Sequence, residues 1–182
     1  LNKKPEHIEW FDNSNLHGTN PVAACVVFRN GKPSKNEYRL YNIKEVKGID
    51  DFASMKEVVF RRYKRLIDQG EILPELIIVD GGKGQLSSAM TAIKSLGIEK
   101  KVSLIGIAKR LEEIFFPGDP IPIYLDKRSE TLKTIQQLRN EAHRFGINFH
   151  RKKRMKSGFD SYLDGLKGIG PKTKEQLLKE FK

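Results

Sequence analysis

With 182 residues, 38% of them hydrophobic and 9% aromatic, the chain can hold one medium domain plus a small appendage, and its apolar content excludes wholesale disorder. The 34 Lys and Arg against 23 Asp and Glu give a formal net charge of +11, which favours a polyanionic partner, nucleic acid ahead of an anionic membrane surface. Cys25 is the single cysteine, so an intrachain disulfide and a thiolate metal cluster are excluded, and no apolar run has membrane-spanning or signal-peptide character. A soluble, cytoplasmic protein is expected. Because it begins at Leu1 rather than Met, it is read as a fragment or a trimmed product.

Ile8 to Asp12 reads as a short strand with Ile8, Trp10 and Asp12 on one face. Val22 to Phe28 is a nearly continuous apolar run, as in a strand buried on both sides. Arg29-Asn30-Gly31-Lys32 carries a tight-turn signal, and Glu37 to Ile43 alternates polar and apolar as a third antiparallel strand. Asp50-Asp51 offers an N-cap to a helix reaching about Ile67, with Phe52, Met55, Val59, Tyr63 and Leu66 as its buried stripe. Leu76 to Val79 is a strand ending at Asp80. Gly81 to Gly84 forms the turn out of it, and Gln85 to Leu96 the next helix. Val102 to Ile107 is another buried strand, Glu113 to Phe116 and Ile121 to Tyr124 a small hairpin, and about Ser129 to His150 a long helix. This order predicts an α/β fold with one mixed sheet flanked by helices, followed by a small all-α segment. After Arg154 the composition changes. Lys156-Ser157-Gly158 reads as a linker, which divides the chain into residues 1–155 and 156–182.

Asp12 and Asp80 each close a strand, and in open α/β sheets ligands gather at the carboxyl ends of strands. Two carboxylates there suit Mg²⁺ or Mn²⁺, the usual engine of phosphodiester hydrolysis. Taken singly, each is better read structurally, Asp12 as starting a turn and Asp80 as capping the next helix, and only together, in a chain this basic, do the two readings balance. The run Asp80-Gly81-Gly82-Lys83-Gly84-Gln85 fails the spacing of a nucleotide-binding phosphate loop, although Lys83 and the backbone amides at this helix start suit a nucleic-acid phosphate. On the long helix, Leu132, Ile135, Leu138, Ala142, Phe145 and Phe149 form one apolar stripe. His143, with Gln136, Arg139 and His150, lies on one flank of it, and Glu141 lies on the other. Periodicity does not choose between His143 and Glu141 as a functional group. The run Arg151, Lys152, Lys153 and Arg154 extends the basic flank as a phosphate footprint. Near the C-terminus, Gly168-Ile169-Gly170 turns tightly and aims amides outward, with Lys167, Lys172 and Lys174 adding charge that reads no sequence.

That last segment resembles a helix-hairpin-helix motif, with one hairpin where such domains pair two, and with Lys174 where a small residue is usual. Taken with Ile8-Glu9-Trp10-Phe11-Asp12-Asn13-Ser14, Val79 to Leu86 and Arg139-Asn140-Glu141-Ala142-His143-Arg144-Phe145, the chain resembles the UvrC family of bacterial excision-repair incision subunits. The resemblance implies a ribonuclease H-like fold and an Asp12-Asp80-His143 site holding Mg²⁺ or Mn²⁺. It also implies an endonuclease that cuts DNA 5′ to a lesion in nucleotide excision repair, within the SOS response. In the same terms His143 takes precedence over Glu141, and Asp51 has a counterpart suspected of a role, although helix capping explains it equally well. The partners implied are damaged double-stranded DNA and the UvrB–DNA pre-incision complex, the latter through parts outside this sequence, with the fragment itself monomeric. The rival from another class is a non-catalytic, sequence-independent duplex-binding module.

Overall fold

The computed structural model describes residues 4–14, 22–44, 50–108 and 113–164 with isolated positions 170, 173, 176 and 180; for Ser14, His150 and residues 152–164 it describes the backbone alone. Strand β1 (His7–Ser14) runs longer than its apolar stretch because it is paired on both edges. It lies antiparallel to β2 (Val22–Arg29), with Asp12 opposite Ala24. On the other edge it lies parallel to β5 (Leu76–Asp80). Trp10, Phe11 and residues Val26 to Phe28 are wholly buried, as the near-continuous apolar runs require.

After β2, Asn30 and Gly31 both adopt positive φ (51° and 75°), the tight turn that Asn-Gly favours. The third strand expected over residues 37–43 is present but shorter, over 39–42, and a further two-residue strand precedes it. A two-residue β3 (Lys32–Pro33) and β4 (Arg39–Asn42) both pair with β2, separated by a 3-10 turn at Lys35–Glu37. Pro33 has no N–H to continue the ladder, and the Arg29–Glu37 ion pair at 2.7 Å fastens the detour.

Helix α1 (Asp51–Asp68) starts where Asp50 accepts hydrogen bonds from the Phe52 and Ala53 amides. Met55, Val59, Tyr63 and Leu66 are buried as expected, but Phe52 is 52% exposed. Its ring lies over Gly84 in the first turn of α2 (Lys83–Ser95), where an added Cβ would fall 2.2 Å from Phe52 Cε1. Phe52 therefore joins α1 to α2 rather than filling the core. The helix begins two residues earlier than expected, with Gly82 as N-cap.

Strand β6 (Ser103–Ile107) extends the sheet in parallel, and β7 (Glu113–Phe115) and β8 (Ile123–Tyr124) close it as an antiparallel hairpin. Among the described residues this makes an eight-stranded mixed sheet in the order β3-β2-β1-β5-β6-β7-β8, with β4 also on β2. Helix α1 covers one face, where the Phe11 and Tyr63 rings meet edge-on at 6.0 Å. Helix α3 (Glu130–Asp164) buries Leu132, Ile135, Leu138 and Ala142, and its Phe145 meets Tyr38 at 5.1 Å.

The chain divides into two compact units, Leu1–Gly146 and Ile147–Lys182. Helix α3 continues to Asp164, through the Lys156-Ser157-Gly158 stretch read as a linker. Lys, Arg and Met are good helix formers, and one internal glycine costs only about 1 kcal/mol. Of the expected hairpin, Lys167, Gly168, Lys172 and Lys174 lie outside the described residues, and Gly170 is exposed. No described helix is long and apolar enough to cross a membrane.

Candidate active site

Phe11 of β1 is paired in parallel with Val79 of β5, which makes Asp12 and Asp80 the next pair along. Parallel strands end at the same edge, so register alone brings both carboxylates to one rim of the sheet. The turn after Asp80 is held tightly: the Gly81 amide donates to the Ile107 carbonyl at 2.8 Å. Across it, a Cβ on Gly106 would meet the Gly81 carbonyl oxygen at 2.9 Å and Leu86 Cβ at 3.2 Å. Because the obstacle is backbone, Gly106→Ala is expected to destabilise the fold by about 1–3 kcal/mol. Chemical denaturation measures that loss, and an unchanged midpoint would refute the close approach.

Helix α3 supplies an imidazole and a guanidinium from the side. His143 Nδ1 stands 3.7 Å from Asp12 Oδ2. One turn earlier Arg139 Nε stands 3.9 Å from Asp80 Oδ2. Burial pushes the Asp12 carboxyl above the usual carboxylate range, and the nearby charges of His143 and Arg139 only partly oppose it. These groups line a cavity of about 790 Å³ together with Asp51 and Glu113.

The alternatives left open by periodicity occupy different places. Glu141 lies on the far flank of α3, accepting a hydrogen bond from Tyr38 Oη at 3.1 Å and two from Arg144 at 2.8 and 2.6 Å. The Arg144 contact holds its carboxyl below the usual range. Helix capping falls to Asp50, while Asp51 lines the cavity and its carbonyl accepts from Asn13 Nδ2 at 3.0 Å. Glu113 escaped the sequence reading, since a lone glutamate opening a short strand carries no signal of its own. Lys83 is exposed, its ammonium 5.8 Å from the centre of the Phe115 ring. Arg151 is exposed in the second unit, and the side chains of Lys152, Lys153 and Arg154 lie outside the described residues.

Among the described residues, no group of three or more His, Cys, Asp and Glu side chains is placed to hold a metal ion, Asp12, Asp80 and His143 included. The donor set suits a different kind of site. Mg²⁺ dehydrates reluctantly and is commonly held by one or two carboxylates, with water and a substrate phosphate completing its octahedron. Asp12, disfavoured as an anion by burial, and Asp80 beside it are oxygen donors of that kind.

Residues 1–147 match the UvrC RNase H endonuclease domain family. The chain is 68% identical over 182 residues to UvrABC system protein C of Christiangramia forsetii, covering all of this chain and 30% of that protein. It is 60% identical over 182 residues to UvrABC system protein C of Porphyromonas gingivalis W83, again covering all of this chain and 30% of that protein. It thus spans about 30% of the length of the curated relatives it matches. Among solved structures it is similar to Ciona intestinalis endonuclease V in complex with an inosine-containing DNA, with TM-score 0.42 and 20% identity over 76% of this chain and 57% of that one. It is also similar to the catalytic domain of human endonuclease V, with TM-score 0.36 and 18% identity over 59% and 46% of the two chains. The ribonuclease H-like mixed sheet, the cavity at its strand ends and the match over residues 1–147 agree: the chain belongs to the UvrC RNase H endonuclease domain family.

Proposed function

We propose that this chain is the endonuclease portion of a nucleotide excision repair protein, hydrolysing a DNA phosphodiester bond 5′ to a lesion with the help of Mg²⁺ or Mn²⁺. The observation that carries the reading is the gathering of Asp12, Asp80, Arg139 and His143 around one cavity at the strand ends. A divalent ion held by Asp12 and Asp80 would supply electrophilic stabilisation of the phosphate and a more acidic water. Arg139 is placed to stabilise charge growing on the phosphate oxygens. His143, 67% exposed, with its Nδ1 beside the Asp12 carboxylate, is placed to hold or pass a proton. Asp51 and Glu113, on the same cavity, add negative charge that keeps cations in and holds the DNA anion back until a cation is present. Damaged duplex DNA and a UvrB–DNA complex are the partners proposed for the whole protein, and the bacterial cytoplasm its place.

The duplex-binding module without catalysis is the rival, and incubation of the purified chain with supercoiled plasmid and bubble duplexes decides between them. Cleavage is expected with Mn²⁺ or Mg²⁺ and none with EDTA. Binding without a cut under any metal, repeated with full-length protein and its partners, would sink the catalytic reading. In either case affinity should fall with salt at a log–log slope of about −0.9 per phosphate neutralised, and salt-insensitive binding would refute the phosphate footprint.

A further inference from the structure

The closing hairpin of the sheet is unusual in what it leaves in water. Phe116 (39%), Ile121 (71%), Ile123 (52%) and Tyr124 (66%) are all exposed within one short stretch. Scattered exposed apolar residues need no explanation, but a cluster beside a functional cavity does. The hairpin loop is ordered. The Asp119 amide donates to the Phe116 carbonyl at 3.2 Å, Asp119 Oδ1 accepts from the Ile121 amide at 2.9 Å, and Gly118 takes the positive φ of 82° that the turn needs.

Register ties this cluster to the site. Tyr124 is the cross-strand partner of Glu113, and such partners project from the same face of a sheet with Cβ atoms about 5 Å apart. Glu113 lines the candidate active cavity, so the Tyr124 ring stands beside the rim of that cavity, one strand further out, on the face of the sheet that carries Val79 and Gly106 rather than on that of Asp12 and Asp80. Cations are close in register and sequence: Lys83 lies above the ring of Phe115, two residues along β7 from Glu113, and Lys127 and Arg128, both exposed, follow β8. An aromatic ring between cations is how proteins hold single-stranded nucleic acid, with phosphates on the cations and a base on the ring. A protein strand adding to this edge is disfavoured, because β8 is two residues long and both Pro120 and Pro122 lack an N–H.

We infer that Tyr124 is a base-stacking platform for an unpaired nucleotide next to the bond being cut, with the rest of the β7–β8 hairpin holding the DNA strands apart at that point. The inference rests on the nuclease reading for the identity of its ligand. It adds a preference for bubbles, nicks or junctions over intact duplex, because stacking needs a base already out of the helix.

The test is equilibrium binding of the full chain to bubble and intact duplexes in EDTA, with 2-aminopurine in the bubble reporting stacking by quenching. Wild type should quench the probe and bind the bubble more tightly. Tyr124→Ala should lose the quench and weaken bubble binding by roughly 5- to 150-fold, with little effect on intact duplex and no change in salt slope. Tyr124→Phe should restore both. Unaltered binding by Tyr124→Ala would overturn the inference and point to a protein partner for the hairpin. A salt slope that drops with Tyr124→Ala would overturn it too. Loss of metal-dependent cleavage in wild type with intact quenching would sink the nuclease reading alone, whereas no DNA binding by wild type would sink both.

Discussion

Asp12→Asn and Asp80→Asn should each lower the cleavage rate about a thousandfold or more while DNA binding stays as tight or tightens. The expectation follows from what the carboxylates do. Holding the ion that stabilises the transition state is worth several kcal/mol, and each 1.36 kcal/mol is a factor of ten in rate. Removing one negative charge near the phosphate path meanwhile eases repulsion of the DNA. Asp12→Asn should also keep or raise the melting temperature. Burial raises the Asp12 pKa in the folded state, so its ionised form costs stability once pH exceeds that raised value. An amide of the same shape escapes the cost. A variant that loses cleavage without losing stability marks a residue kept for chemistry rather than for folding. Metal-dependent cleavage retained in both variants would refute the assignment, and a large fall in melting temperature would mean the loss of activity was a loss of fold.

The placement of Asp12 and Asp80 at strand ends was legible because each closes an apolar run that polar or glycine residues follow. Their pairing in space needed the register between β1 and β5, which no local pattern encodes. The choice between His143 and Glu141 was invisible to helical periodicity, since both flank the same stripe. In space the two differ in company: Tyr38 and Arg144 engage Glu141, whereas His143 faces Asp12. Asp51 reads as a helix cap until Asp50 is seen to do the capping. Phe52 fell out of the buried stripe because an apolar pattern reports that a residue wants cover, not which element provides it. Here the cover is the first turn of α2, where Gly84 leaves room for the ring. The extra two-residue strand before the third one, and the detour between them, likewise came from Pro33 and an ion pair, both weaker signals than the alternation around them.

Glu9→Ala should destabilise the fold by about 3–5 kcal/mol, a large share of the roughly 5–15 kcal/mol that holds a domain together. Glu9 is completely buried on the α1 side of β1, facing away from the active cavity. Arg62 meets it with two hydrogen bonds, Nη2 at 2.6 Å and Nε at 3.2 Å, and Tyr63 Oη donates at 2.9 Å. His7 Nε2 lies 3.4 Å away. Burial alone would raise the Glu9 pKa, but the His7 and Arg62 contacts outweigh it and hold the carboxyl below its ordinary value. A depressed folded pKa means that the contribution is complete above the unfolded pKa of about 4.3 and is lost as pH falls through the folded value. Removing the carboxylate strands the Arg62 charge, itself 5% exposed, in the core, which is why a single deletion costs more than the pair is worth. Replacing both partners tests that logic: Glu9→Leu with Arg62→Met should recover most of the loss and flatten the acid limb of the stability curve. Urea titration of the single and double variants across pH 3–7 measures both effects. A single-variant loss under about 0.5 kcal/mol, the scale of an ordinary surface substitution, would refute the buried pair as a structural tie between β1 and α1.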